Sequence, residues 1–83
     1  MKLLPIGNEI IKYLQKHNLE KKFNKQLKLF KTNLKYPSLE VELLEPKSKK
    51  IYSFRVDRKY RAIFIFRDDL NLVEILMVSN HYK

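Results

Sequence analysis

The hydrophobic pattern changes period once along this chain, and the change divides it. Before Pro37, apolar residues recur three or four positions apart. After it they alternate or run together. In "NEIIKYLQKHN", Ile10, Ile11 and Leu14 fall on one helical face, with Asn8 placed to cap the N-terminus and Asn18 to close the C-terminus. "LEKKFNKQLKLFKTNL" spaces Leu19, Phe23, Leu27, Phe30 and Leu34 by four, four, three and four. That is a stripe of period 3.6. Lys21, Lys22, Lys25 and Lys28 take the other side, and Leu29 is the one misfit. Two amphipathic helices joined by a short turn predict an αα-hairpin.

"SLEVELL" alternates Leu39, Val41 and Leu43 against Glu40 and Glu42, the signature of a half-buried strand. "EPKSKK" reads as a basic loop, because Pro46 cannot donate to a ladder. "IYSFRVD" and "YRAIFIF" are strands joined by a tight turn near Arg58-Lys59. "RDDLN" is the next turn, with no expected metal role for Asp68-Asp69, and "LVEILMV" is a strand apolar on both faces. The expected fold is therefore α+β, with an N-terminal helical hairpin packed on a four-stranded, mainly antiparallel sheet. Residues 1–83 read as a single domain, without repeats, linker or low-complexity segment.

Composition narrows the function. Hydrophobic residues make up 45%, enough for a core, and no run approaches a membrane span or a signal peptide. A soluble cytoplasmic protein is the expectation. The absence of cysteine excludes disulfides and thiolate metal sites, and His17 and His81 have no acidic cluster at ligand spacing. No metal and no small-molecule cofactor is expected. The 18 Lys and Arg against nine Asp and Glu give a formal +9. Such an excess suits a polyanionic partner such as RNA, the ribosome or an acidic protein. Six of the lysines lie between Lys21 and Lys35, where they equally serve solubility. The arginines differ, since all four lie between Arg55 and Arg67.

"PSL" at the start of the first long strand, "YSFR" followed six residues on by "YRAIF", and the closing "NHY" carry a family resemblance. From the helical hairpin to the C-terminus the chain resembles the RelE/ParE superfamily of bacterial toxin–antitoxin toxins. The "R-V-D-R-K-Y-R" spacing is the most specific part, and the terminal His-Tyr points to the YoeB branch of the RelE nucleases. The sequence departs from the family twice. Members begin with a strand that pairs into the sheet, whereas only "MKLL" precedes Pro5 here, so that strand is expected to be short or absent. The acidic residue that YoeB-like members place just before the first long strand is also missing, with Tyr36 and Pro37 in its place.

The resemblance implies a ribosome-dependent mRNA endonuclease that acts without metal and is neutralised by a cognate antitoxin. Such cleavage requires the 2′-hydroxyl to attack its own phosphate, a base and an acid for the two protons, and cations for the charge on phosphorus. Arginine suits the last task, because its planar fork meets two phosphate oxygens at once. The resemblance makes Arg61 the first candidate for the phosphate and Arg55 the second. It makes His81 an acid or base, and Tyr82 a stacking or orienting group. Lys49, Lys50, Arg58, Lys59 and Lys83 would supply positive field around the RNA. Glu40 and Glu42 are candidates for the missing carboxylate, although charges on a half-buried strand ordinarily face solvent. Two other functions fit the same fold: a ParE-like inhibitor of DNA gyrase, and an inactive homologue that acts by binding alone.

A shared phosphate sets a geometric condition. A strict two-residue loop at Arg58-Lys59 would put Arg55 opposite Ala62 and Arg61 opposite Val56, with the two arginines on opposite sheet faces. An odd loop or a bulge brings them to the same face, and that is the expected arrangement. An acidic antitoxin segment covering an open sheet edge, with salt-sensitive affinity, is the expected partner.

Overall fold

A computed structural model describes residues 2–67 and 71–80. The helical stripes form two helices, α1 (Asn8–Lys16) and α2 (Glu20–Thr32). Asn8 is not the cap. It is the first helical residue, Gly7 takes the capping position, and no side-chain cap bond forms. Asn18 does close α1. It sits in the left-handed region at φ 56, where Asn is tolerated, and the Leu19 N–H then reaches back to the Leu14 carbonyl at 2.8 Å. Leu14, Leu19, Phe23 and Phe30 are buried as their spacing requires.

The sheet has five strands in the order β1-β5-β4-β3-β2: β1 (Lys2–Leu3), β2 (Glu42–Leu43), β3 (Tyr52–Arg55), β4 (Arg61–Arg67) and β5 (Leu72–Ser79). The clipped first strand is present as β1. Its two residues run parallel to β5, Lys2 beside Leu72 and Leu3 beside Val73, so the sheet is mixed and has one strand more than the four read from the alternation. All other pairs are antiparallel. Both helices cover one sheet face. Phe23 and Phe30 of α2 meet Phe54 and Phe64, with ring centroids 4.7 Å apart for Phe30 and Phe54 and 4.9 Å for Phe30 and Phe64.

"SLEVELL" is where the expected strand fails. Pro37–Leu39 makes a turn of 3-10 helix, Glu40 follows at φ 43 and ψ 55, and only Glu42–Leu43 pairs with β3. Leu39 is nevertheless fully buried, because the turn drops it into the core beneath the helices. The alternation of apolar residues was a correct reading of burial but not of backbone. Proline starts the turn with its φ already fixed, and Glu40 adopts a left-handed conformation that costs a side-chain-bearing residue roughly 1–2 kcal/mol.

Candidate active site

Alternation along β3 and β4 sorts their side chains. Phe54 and Ala62 enter the core, whereas Ser53, Arg55, Arg61 and Ile63 take the face turned away from the helices. Arg55 and Arg61 stand directly opposite one another across the ladder. A three-residue tip, residues 57–59, produces this register. The N–H groups of Val56 and Asp57 both donate to the Tyr60 carbonyl, at 2.9 and 3.2 Å, the double donation of a β-bulge. Asp57 holds the tip closed: its Oδ1 accepts from the N–H of Lys59 at 2.9 Å and of Tyr60 at 2.8 Å. Burial pushes the Asp57 carboxyl up, but these two N–H groups and the Lys22 ammonium at 3.3 Å outweigh it and hold the carboxyl below its usual range. Behind the loop, Tyr60 rests against Tyr13 and His17 of the first helical segment, with its hydroxyl 3.4 Å from His17 Nδ1.

Arg61 is the more enclosed of the two arginines, its side chain 11% exposed against 37% for Arg55. Its Nε donates to Ser53 Oγ at 2.8 Å, and its Nη2 donates to the Glu40 carbonyl and lies 3.2 Å from Glu42 Oε1. Those contacts fix the plane of the fork, which is the preorganisation that charge stabilisation needs. Arg55 is anchored through its backbone. The buried Gln26 amide of α2 donates to the Arg55 carbonyl at 2.9 Å and to the Ser38 carbonyl at 3.0 Å, tying the end of β3 to the turn that carries Glu40.

The Glu40 carboxylate lies between the two guanidinium groups. Oε2 accepts from Arg55 Nη1 at 2.6 Å, and Oε1 is 4.0 Å from Arg61 Nη1. Glu40 and Glu42, the two candidates for the missing carboxylate, therefore both lie within 4.0 Å of an arginine of the pair. A regular strand through "SLEVELL" would also have carried both to the arginine side, with Glu40 opposite Arg55 if the β2–β3 register continued. Glu42 stands opposite Ser53 in β2, and Glu40, although it leaves the strand in a left-handed turn, reaches the same arginines.

These groups line a cleft of about 590 Å³ together with Arg58, Lys59 and Asn80. The loop lysines Lys49 and Lys50 do not. They belong to residues 44–51, which enter β3 at the end opposite Arg55, and both are exposed away from the cleft. His81, Tyr82 and Lys83 lie outside the described residues. Gln26 was hidden in the sequence because it sits inside a helical stripe whose neighbours are apolar, and nothing in its spacing marks a cross-link. Among the described residues, no group of three His, Asp or Glu is placed to hold a metal ion, and no helix is long and apolar enough to cross a membrane.

Two helices packed on a mixed five-stranded sheet make a RelE-like toxin fold. Residues 8–81 match the family model of the HigB-like toxins, described as RelE-like toxins of type II toxin–antitoxin system HigB, and the chain belongs to that family. Solved structures agree. The YoeB/ParE toxin from Agrobacterium tumefaciens superposes with a TM-score of 0.71 at 17% identity, covering 99% of this chain and 100% of that one. The YoeB-YefM complex from Staphylococcus aureus matches with a TM-score of 0.67 at 27% identity, covering 98% and 94%. YafQ from E. coli strain BL21(DE3) gives 0.66 at 16%, covering 96% and 90%. No curated protein sequence matches the chain significantly.

Proposed function

We propose that this toxin cleaves mRNA on the ribosome by metal-independent transesterification, and that a cognate antitoxin neutralises it. One observation carries the reading: Arg55 and Arg61 share a sheet face and a cleft, with carboxylates at both. Arg61 holds the scissile phosphate with its fixed fork, and Arg55 closes on it from the opposite strand. Glu42 accepts the proton of the 2′-hydroxyl. It lies 3.2 Å from Arg61 Nη2, beside any phosphate that arginine holds, and it leaves the space between the arginines open. The leaving 5′-oxygen takes its proton from His81. The preceding residue, Asn80, lines the cleft, which supports that assignment. Tyr82 stacks on a base, and Arg58, Lys59 and Lys83 attract the strand. The antitoxin reading is supported by the relative from S. aureus, which is a YoeB-YefM complex.

A gyrase inhibitor would not need a base beside an arginine pair, which is why the nuclease reading is preferred. Purified toxin is added to ribosomes programmed with a defined mRNA, and to a gyrase supercoiling reaction. The expected result is cut mRNA with a 2′,3′-cyclic phosphate and untouched supercoiling. Intact mRNA with inhibited supercoiling would replace this reading with the ParE-like one, and no effect in either would leave a binding-only toxin.

A further inference from the structure

The place between two converging arginines is where a phosphate should sit, and here a side chain already fills it. Glu40 presents one carboxylate oxygen to each guanidinium group, at 2.6 Å to Arg55 Nη1 and 4.0 Å to Arg61 Nη1. Two oxygens of one anion facing two arginines is the pattern a phosphodiester would make. The backbone holds Glu40 there in a left-handed conformation, although nothing about glutamate favours it. Strain of this kind persists where the surroundings over-determine it. Here Gln26 fixes the preceding turn through Ser38, and Arg61 Nη2 holds the Glu40 carbonyl itself.

We propose that the Glu40 carboxylate is a resident stand-in for the RNA phosphate: it occupies the arginine pair in the empty toxin and withdraws when substrate binds, so that it sets phosphate affinity rather than moving a proton. This rests on the nuclease reading only for the identity of the incoming anion. The two carboxylates of the cleft thereby divide the work. Glu42 flanks Arg61 from β2 and stays, whereas Glu40 must leave, since it holds the position the phosphate requires. Its departure is cheap. The Glu40 side chain is 51% exposed, and an ion pair so open to water contributes little. The departure also leaves Arg61 in place, because Ser53, Glu42 and the Glu40 carbonyl hold that fork without the Glu40 carboxylate. Arg55 loses its partner and becomes the arm that follows the phosphate. In the empty cleft, Glu40 offsets the repulsion between two like charges facing each other across one ladder. It also sets a threshold, because only an anion that reaches both arginines replaces both of its contacts.

The test is a titration of the folded toxin with inorganic phosphate, followed through the side-chain Nε–H resonances of Arg55 and Arg61. The same titration is run with a short RNA whose 2′-hydroxyls are replaced by hydrogen. Glu40→Gln should bind both probes about two- to five-fold tighter than the parent, the range set by displacing one exposed ion pair. Glu40→Gly, which takes the positive φ without steric cost, should gain by a similar factor and serves if the Gln variant folds poorly. Glu74→Gln removes the same charge at the far end of β5, beside Arg67, and should leave the affinity unchanged. Equal or weaker binding by both Glu40 variants, an equal gain in Glu74→Gln, or no binding by any of them would overturn the proposal. So would a hundred-fold loss of RNA cleavage in Glu40→Gln at unchanged phosphate affinity, which would make Glu40 the base. A toxin that shows the expected affinity order but never cuts RNA would defeat the nuclease reading and leave this role of Glu40 standing.

Discussion

Two sets of cations lie on this domain, and they are held in different ways. The lysines of α2 point outward; Lys21, Lys25 and Lys28 are exposed, and Lys22 reaches Asp57 from a side chain 60% exposed. Arg55 of β3 and Arg61 of β4 face a cleft, and serine, carbonyl and carboxylate groups fix their forks. A lysine on a solvated helix supplies field without geometry, and salt screens that field. An arginine fixed on a sheet supplies geometry, and preorganised charge is what lowers a barrier. The lysines should therefore govern how fast and how tightly the toxin meets RNA, and the arginine face should govern what happens to the RNA afterwards.

The comparison breaks most visibly at Glu42. Glu42→Gln should lower the cleavage rate by about 10² to 10⁴, the usual contribution of a general base, while binding of an uncleavable RNA stays the same or tightens. Single-turnover cleavage on programmed ribosomes measures the rate. Near-parental cleavage would remove Glu42 from the chemistry and leave Glu40 as the remaining carboxylate beside the arginine pair.

Gln26 tests whether the arginine face needs its support from the helices. Gln26→Leu leaves the Ser38 and Arg55 carbonyls without their buried donor, at a cost of about 1–3 kcal/mol. For a domain of this size that corresponds to a fall in melting temperature on the order of 4–8 °C per kcal/mol. Cleavage should fall as well, since both Arg55 and the Glu40 turn lose their anchor. A variant that melts lower but cleaves normally would confine Gln26 to stability.

Asp57 sharpens the loop's part. Asp57→Ala removes the acceptor of two backbone N–H groups and should cost about 1–2 kcal/mol, read from thermal melting near neutral pH. The sign of the pH dependence follows from the depressed carboxyl. Its contribution is complete above the unfolded value of about 3.9 and is lost as pH falls through the lower folded value. The gap in melting temperature between parent and Asp57→Ala should therefore narrow as pH is lowered from about 5 toward 3. A gap that stays constant would show that the ionised carboxylate is not what closes the loop.

The smallest effect is expected on the lysine side. Lys25→Gln with Lys28→Gln should flatten the salt dependence of RNA association by up to about 0.7 in log–log slope for each lysine that meets a phosphate, with the rate at saturation unchanged. A fall in the saturated rate would mean that α2 also positions the substrate.

The helices, the strand meander and the arginine register were legible in the sequence because each depends on local chemistry. Period 3.6 marks a helix, Asn18 tolerates a left-handed closure, and an odd loop or bulge follows once two arginines must share a face. The carboxylates were visible and rightly read as the exposed side of the alternation, but alternation records burial and does not reveal that Glu40 leaves the strand conformation. Gln26 left no trace at all. Its role depends on two carbonyls that arrive from 12 and 29 residues away, and only the tertiary fold brings them to it. Lys49 and Lys50 were expected to lend the RNA positive field, yet they enter β3 at the end opposite Arg55 and do not line the cleft.

The most direct measurement is the rate of mRNA cleavage on programmed ribosomes by Arg61→Ala, with thermal melting of parent and variant run alongside. Arg61→Lys gives the intermediate case, since an ammonium keeps the charge and loses the fork. Removing one preorganised donor should cost about 10² to 10³ in rate, Lys should restore only part of it, and the fold should persist. A folded Arg61→Ala toxin that cuts as fast as the parent would contradict a phosphate site on this sheet face.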